Sequence, residues 1–144
     1  MAEVDAIAPT GLSVLVVDDH LQAASARGRA TRARNQSLRA LGLRVLEAST
    51  AEDGAAAFTA EPGIDALVVE WDLGAPLPGE QRQVEALLRF VRGRNADVPV
   101  FLLAERTALA DVPLDILRSV NDYIWLDSNL TGQSVLTMRS PASL

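Results

Sequence analysis

The chain contains neither cysteine nor lysine. Without cysteine, it has no disulfide framework and no thiolate chemistry. Without lysine, it cannot form a Schiff base, because all 13 basic residues are arginines, and a guanidinium stays charged and does not replace an amine in that reaction. With a single histidine, His20, the sequence does not predict a zinc site. These absences remove several common routes to catalysis.

Basic charge, aromatic rings and long apolar runs are also scarce. The net charge of −6 argues against a nucleic-acid partner. Aromatic residues make up 4% of the chain, so the core must consist mainly of Val, Leu, Ile and Ala. No apolar run reaches the roughly 18 residues of a membrane span, and the N-terminus does not resemble a signal peptide. We therefore expect the chain of 144 residues to contain one cytoplasmic domain, with no membrane partner.

Five short apolar runs alternate with segments of helical periodicity. The apolar runs are residues 13–17, 44–48, 66–69, 98–103 and 123–126, and the helical segments are residues 21–41, 51–58, 84–91 and 113–120. This alternation predicts an α/β fold, a three-layer sandwich with a doubly wound, five-stranded parallel sheet of order 2-1-3-4-5. We place the domain at residues 12–127. Residues 1–11 are predicted to be a flexible lead, and residues 128–144 a weakly structured tail or a short fifth helix.

Four acidic residues follow two strands that such a sheet makes neighbours. Asp18 and Asp19 end the first strand, and Glu70 and Asp72 follow the third. Ligands of this fold bind beyond the carboxyl ends of those strands. Asp18, Asp19 and Glu70 offer the hard oxygen ligands that Mg²⁺ prefers. The alternative, which we favour, is a vestigial acidic pocket without metal, made of solvated strand-end acids.

Several segments resemble the receiver domains of response regulators, which are CheY-like. The sequence VLVVDD at residues 14–19 matches the first strand and acid pair of that family, and residues 98–104 resemble its fourth strand. Three positions depart from the pattern. Glu70 stands where the family has the phosphorylated Asp, Ala104 where it has Ser or Thr, and Leu126 where it has Lys. Without that hydroxyl and that cation, the phosphoryl group would lose most of its charge stabilisation.

Two segments, residues 94–107 and 111–126, are similar to a narrower family, the N-terminal receiver-like (wing) domain of bacterial Orn/Lys/Arg decarboxylases. The Trp71-Asp72 pair fits the same family. The resemblance implies a non-catalytic assembly or regulatory domain that forms homo-oligomers or contacts the other domains of a parent enzyme. Pyridoxal phosphate is expected only in that full-length parent. The alternative is a stand-alone atypical receiver that signals through protein–protein contacts on a face including Tyr123.

The remaining features each allow two interpretations. The arginines of the first helix form either a docking face or a solvated face, and we favour the second; they are Arg27, Arg29, Arg32, Arg34 and Arg39. Gly28 among them is expected to weaken the helix slightly. Trp71 and Trp125 either anchor an oligomer interface or pack at the rim of the core. Arg118 lies where the resemblance to inducible lysine decarboxylases implies an effector (alarmone) surface, or it is an ordinary surface arginine.

Overall fold

A computed structural model describes residues 11–74, 76–77 and 80–126 of the chain. Its strands form one parallel sheet of order β2-β1-β3-β4-β5, as predicted. The strands are β1 (Ser13–Val17), β2 (Arg44–Ala48), β3 (Ala66–Glu70), β4 (Val100–Ala104) and β5 (Asp122–Trp125). The predictions for residues 1–10 and 128–144 fall outside the described residues.

In the part of the chain that the structure describes, four α-helices and one 3₁₀ helix connect the strands. The α-helices are α1 (Ala26–Ala40), α2 (Ala51–Ala60), α3 (Gln83–Arg94) and α4 (Leu114–Ser119), and the 3₁₀ helix is Arg106–Asp111. Helix α2 begins as the sequence predicts, because the Thr50 side chain accepts the backbone N–H of Asp53 at 3.0 Å. The 3₁₀ helix, which was not predicted, has no buried residue and therefore no apolar periodicity to reveal it.

The sheet is covered on both faces, which gives the predicted three layers. One face of the sheet, with Leu15, Leu67 and Leu102, packs against buried residues of α2, α3 and α4. The other face, with Val16 and Val68, packs against Leu38 of α1. Strands β3 and β4 are buried along their whole length, which explains their continuous apolar sequences. No helix in the described part of the chain is long and apolar enough to span a membrane.

Helix α1 begins five residues later than predicted. Ser25 is its N-cap, and the Ser25 side chain accepts the backbone N–H of Gly28 at 3.2 Å. The preceding residues turn back, with the N–H of Ala23 donating to the carbonyl of His20 at 3.0 Å. Leu21, which we assigned to the helix, is instead buried in this turn. An apolar residue buried by a loop gives the same local signal as one on a helix face.

Arg92 on α3 connects the segments that precede β4 and β5. Its guanidinium donates to the carbonyl oxygens of Val98 at 2.6 Å and Ser119 at 2.5 Å, and to Oδ1 of Asn121 at 3.0 Å. The same Asn121 oxygen accepts the N–H of Val100 at 2.8 Å. One arginine thus joins α3 to the segments that lead into β4 and out of α4, and it fixes where β5 enters the sheet.

Candidate functional site

The first member of the site is Asp18, which directly follows β1 and has no exposed surface. Its Oδ1 accepts the backbone N–H of His20 at 2.8 Å. Its Oδ2 accepts the Thr31 hydroxyl at 3.0 Å and Nη2 of Arg34 at 3.3 Å. Burial pushes the pKa of Asp18 upward, but these hydrogen bonds and the Arg34 charge outweigh burial and hold its pKa below the usual value. Asp18 is therefore a buried carboxylate with an internal counter-ion.

The second member is Glu70, the last residue of β3, which is also completely buried. Its Oε2 accepts Nη2 of Arg27 at 2.5 Å. Burial, a hydrogen bond with Asp19 and the nearby Asp18 charge raise the pKa of Glu70 to about 9, against the opposing effect of Arg27. Burial therefore favours the protonated form of the Glu70 side chain, whereas the contact with Arg27 favours its charged form.

His20 lies between the carboxyl groups. Its Nδ1 is 2.9 Å from Oδ1 of Asp19, 3.2 Å from Oδ1 of Asp18 and 3.2 Å from Oε1 of Glu70. Asp19 also accepts the backbone N–H of Gly74 at 2.9 Å, and Gly74 adopts a φ of 80°, which favours glycine. From the sequence, His20 was considered only as a zinc ligand, and its contacts with the three carboxyl groups were not predicted. Its position two residues after Asp18 was the available signal.

Helix α1 supplies the cations of the site. Arg27, Thr31 and Arg34 are spaced at i, i+4 and i+7, so they lie on one helix face, and that face turns toward the acids. Both interpretations of the α1 arginines, as a docking face or as a solvated face, are wrong for Arg27 and Arg34. The Arg34 side chain is only 5% exposed, and Arg27 contacts Glu70. The helical spacing of these two arginines and the threonine was a signal in the sequence, but the prediction took account only of the number of arginines in the helix.

Two of the other arginines of α1, Arg29 and Arg32, hold the turn that precedes the helix. Arg29 donates to the carbonyl of Ala24 at 3.0 Å, and Arg32 donates to those of Leu21 at 3.0 Å and Ala23 at 2.7 Å. Arg39 pairs with Glu47 on β2 at 3.3 Å. The contacts of Arg29 and Arg32 hold the residue 20–25 turn against α1, and the Arg39 pair joins α1 to β2.

Gly28 lets this turn pack against α1. A Cβ atom at residue 28 would lie 2.1 Å from the carbonyl oxygen of Ala23 and 2.9 Å from that of His20. Both atoms belong to the backbone and cannot rotate away. The sequence predicted only that Gly28 weakens the helix slightly, and it did not predict this contact, in which only glycine allows the turn and the helix to come this close.

Asp72 does not join the cluster, although the sequence grouped it with the other acids. Its Oδ1 is 2.8 Å from Nη1 of Arg82, and its side chain is 46% exposed. The Arg82 guanidinium also lies over the ring of Trp71, 4.4 Å from its centroid. Trp71 is completely buried and is part of the core, which fits core packing rather than an interface anchor.

The side chains at the two remaining receiver positions cannot stabilise a phosphoryl group. Ala104 ends β4 and is completely buried. Leu126 follows β5, donates its N–H to the carbonyl of Ala104 at 3.0 Å, and packs against the core face that contains Leu38. Both side chains are apolar, so neither side chain can donate a hydrogen bond to an anion.

A second group of predicted residues lies around β5, away from the acids in sequence. Tyr123 and Trp125 stack with ring centroids 5.4 Å apart, and the Arg106 guanidinium lies 5.1 Å from the Trp125 centroid. Both rings are half-buried, and Arg118 on α4 is exposed. This arrangement is compatible with an interface, and nothing in it ties Arg118 to an effector.

The acidic cluster does not fit a magnesium ion. Asp18, Asp19, His20 and Glu70 each offer a ligand atom within 4.8 Å of the others. However, Mg²⁺ prefers charged oxygen ligands with open positions for water. Here Arg27 and Arg34 already supply two positive charges to the acids, and His20 adds a nitrogen ligand to the cluster. Pyridoxal phosphate does not fit this chain either, because there is no lysine to hold it as a Schiff base.

We expect the free energy of unfolding to fall as the pH rises from about 4.5 to about 9. The pKa of Glu70 is raised in the folded protein, so the folded state keeps a proton that the unfolded state has lost. Glu70 contributes its full share to the free energy of unfolding below its pKa in the unfolded state. That contribution is lost as the pH rises to its pKa in the folded state, by no more than about 1.4 kcal/mol per pH unit. Urea unfolding between about pH 5 and about pH 8 measures the slope. A Glu70→Gln variant should show a clearly smaller slope, and an equal slope in both proteins would contradict the assignment.

The family model described as "Orn/Lys/Arg decarboxylase, N-terminal domain" matches residues 26–136, well over half of the chain. The chain belongs to this family. Among curated proteins, this decarboxylase N-terminal domain is 29% identical over 99 residues to the biodegradative arginine decarboxylase of Escherichia coli strain K12. That match covers 65% of the chain and 13% of the relative. The chain thus spans about an eighth of the length of the curated relative that it matches.

Solved structures agree with the fold of this decarboxylase N-terminal domain. Lysine decarboxylase A from Pseudomonas aeruginosa matches with a TM-score of 0.69 and 19% identity, over 94% of this chain and 18% of that one. A response regulator receiver domain protein from Clostridium thermocellum matches with a TM-score of 0.65 and 20% identity, over 92% and 94% of the two chains. The resemblance to both groups is therefore confirmed, and the fold is that of a CheY-like receiver.

Proposed function

We propose that this chain is a non-catalytic, receiver-like domain that serves assembly or regulation in a cytoplasmic, pyridoxal-phosphate-dependent decarboxylase of ornithine, lysine or arginine, and that it is not phosphorylated. Family membership supports the kind of parent enzyme. The observation that carries the proposal is the state of Glu70. The residue at the phosphoacceptor position is buried, its Oε2 accepts Nη2 of Arg27, and burial raises its pKa, which disfavours the charged form.

Phosphoryl transfer to a carboxyl group needs an accessible, charged oxygen and cations that stabilise the developing charge. Glu70 has no exposed surface, and its Oε2 is held by Arg27. The side chains of Ala104 and Leu126 offer neither a hydroxyl nor an ammonium. The acceptor oxygen is inaccessible at Glu70, and the stabilising groups are missing at Ala104 and Leu126, so a single compensating contact would not restore the reaction.

Decarboxylation through pyridoxal phosphate needs a lysine to bind the cofactor, and this chain has none. We therefore assign catalysis to other domains of the parent and protein–protein contact to this one. Partners would be further copies of the chain or the remaining parts of the enzyme. Release of carbon dioxide from ornithine, lysine or arginine by this chain with added cofactor would contradict the non-catalytic assignment.

Incubation with acetyl phosphate and Mg²⁺ is expected to leave the mass of the protein unchanged. Intact-mass spectrometry detects one added phosphoryl group directly. A receiver domain with a complete acceptor site, treated in parallel, shows that the reagent is active. A Glu70→Asp variant tests whether the shorter acid alone restores the reaction, and we expect it to stay unmodified because Ala104 and Leu126 are unchanged. Phosphorylation of the unaltered chain would overturn the proposal.

The stacked pair of Tyr123 and Trp125 favours a second candidate function, a stand-alone receiver that acts by docking. Half-buried aromatic side chains beside arginine are common at protein interfaces. Phosphorylation in the acetyl phosphate experiment would favour this candidate over the decarboxylase domain.

A further inference from the structure

We infer that a cavity between the C-terminal ends of α2 and α3 is a binding site for a small zwitterion, an α-amino acid with an apolar side chain. The cavity is lined by residues of both helix ends and of the segment that leads into β3. Ile64 precedes β3 and Asn95 precedes β4, so the cavity lies at the amino ends of the strands. The acidic cluster follows β1 and β3 at their carboxyl ends, and the two sites share no residue.

The buried side of the cavity is apolar. Phe58 on α2 and Ile64 are 8% and 7% exposed, and both belong to the hydrophobic core. Pro62 adds a third apolar side chain to the lining. The cavity volume of about 220 Å³ is below the roughly 300–1,000 Å³ of pockets for drug-sized ligands. The cavity therefore suits a small molecule that carries a short apolar group.

Arg94 gives the cavity a positive charge. Its guanidinium lies over the ring of Phe90, 5.0 Å from the centroid, and within the described residues it pairs with no carboxylate. A guanidinium binds a carboxylate through two parallel hydrogen bonds. Asn95 lies beside it, and its Oδ1 already accepts the N–H groups of Asp97 at 2.9 Å and Val98 at 3.1 Å. The donor end of that amide, Nδ2, is therefore the end left for a ligand.

Glu61, the C-cap of α2, gives the cavity a negative charge. Its Oε1 is 2.6 Å from Nη1 of Arg44, and its side chain is 34% exposed. That ion pair engages one of the two carboxylate oxygens, and the other oxygen can accept a hydrogen bond from an ammonium group. The carbonyl groups in the last turn of α2 add partial negative charge on the same side of the cavity. This side therefore favours a cationic group of the ligand.

The two charges line one cavity, but in the described part of the chain no ion pair joins Arg94 to Glu61. An α-amino acid carries both complementary groups on one carbon atom, so its carboxylate can bind Arg94 while its ammonium binds Glu61. Its side chain then extends toward Phe58 and Ile64. A ligand with one charge gains only one of the two charged contacts. A basic side chain would lose its water against the apolar residues without gaining a partner there.

Titration of the isotope-labelled chain with free leucine, followed in amide NMR spectra, tests the inference. We expect saturable binding with a Kd on the order of 1 mM, and the largest shifts at the amides of Thr59, Ile64 and Asn95. Isocaproate is leucine without its ammonium group, and isoamylamine is leucine without its carboxylate. Each should bind at least about tenfold more weakly, because it loses one charged hydrogen bond. Free lysine should also bind more weakly than leucine, because its side chain is charged.

Arg94→Ala and Glu61→Gln variants should each bind leucine at least about tenfold more weakly than the unaltered chain. An Arg89→Ala variant is the matched control. It makes the same change of charge on α3 as Arg94→Ala, but Arg89 pairs with Glu85 and Asp115 and does not line the cavity. Its affinity for leucine should be unchanged. The amide spectra also show whether each variant is folded.

Four results would each overturn the inference. They are no saturable binding of leucine, binding of isocaproate, isoamylamine or lysine as tight as that of leucine, unchanged affinity in the Arg94 or the Glu61 variant, and an equal loss of affinity in the Arg89 control. Binding of leucine that requires both its charges and both cavity residues would support it.

Discussion

An Arg34→Ala variant is expected to lose about 3–5 kcal/mol of its free energy of unfolding. Arg34 is the counter-ion of Asp18, and both side chains are almost completely removed from water. Without the guanidinium, Asp18 keeps the hydrogen bonds from Thr31 and the His20 N–H but loses its balancing charge. An uncompensated buried carboxylate is costly whether it stays ionised or takes up a proton. The substitution also removes the packed stem of a buried side chain.

Urea unfolding of the variant, at one pH and one salt concentration, measures this loss. An Arg89→Ala variant provides the matched control. Arg89 pairs with Glu85 at 3.5 Å and Asp115 at 3.3 Å, but its side chain is 51% exposed. Exposed pairs contribute about 0–1 kcal/mol, so this variant should be close to the unaltered chain. Similar losses in both variants would show that burial of the Asp18–Arg34 pair is not what stabilises the domain.

A Gly28→Ala variant is expected to be less stable by about 3 kcal/mol, the upper part of the range for overpacked sites. Helix propensity alone predicts the opposite sign, because alanine is favoured over glycine in a helix by about 1 kcal/mol. Packing outweighs propensity here, since the new Cβ atom would lie 2.1 Å from the carbonyl oxygen of Ala23. To make room, the residue 20–25 turn must move away from α1, and His20 moves with it.

A Gly93→Ala variant isolates the propensity effect. Gly93 lies inside α3, and a Cβ atom there would meet no atom within 4 Å. We expect this variant to be more stable by about 0.5–1 kcal/mol. Thermal unfolding of both variants, compared at one temperature, gives the two signs. If Gly28→Ala were also stabilising, the close approach of the turn to α1 would be wrong.

Most of the fold could be predicted from local patterns. Continuous apolar runs identified β3 and β4 because both faces of those strands are buried. The Thr50 cap identified the start of α2 because a capping hydroxyl acts within three residues. The start of α1 could not be identified in the same way. Leu21 is buried in a loop. In a short sequence, an apolar residue buried in a loop cannot be told from one buried on a helix face.

Half of the site could be predicted, and the other half could not. Asp18, Asp19 and Glu70 were placed together because the carboxyl ends of neighbouring parallel strands meet at one edge of the sheet. Asp72 was wrongly included, because two residues after the strand end the chain has already turned toward Arg82. Arg27 and Arg34 were assigned to an exposed face, since composition says nothing about the direction in which a helix faces the sheet.

The sequence by itself determined the order of the strands, the edge at which the acids gather, and the absence of the residues that phosphorylation and Schiff-base chemistry require. Those properties follow from periodicity and residue identity, which are local. Only the tertiary structure decided that the acids are neutralised from within. That outcome depends on the rotation of α1 against the sheet and on the close approach that Gly28 permits, which together bring residues far apart in sequence to within hydrogen-bond distance.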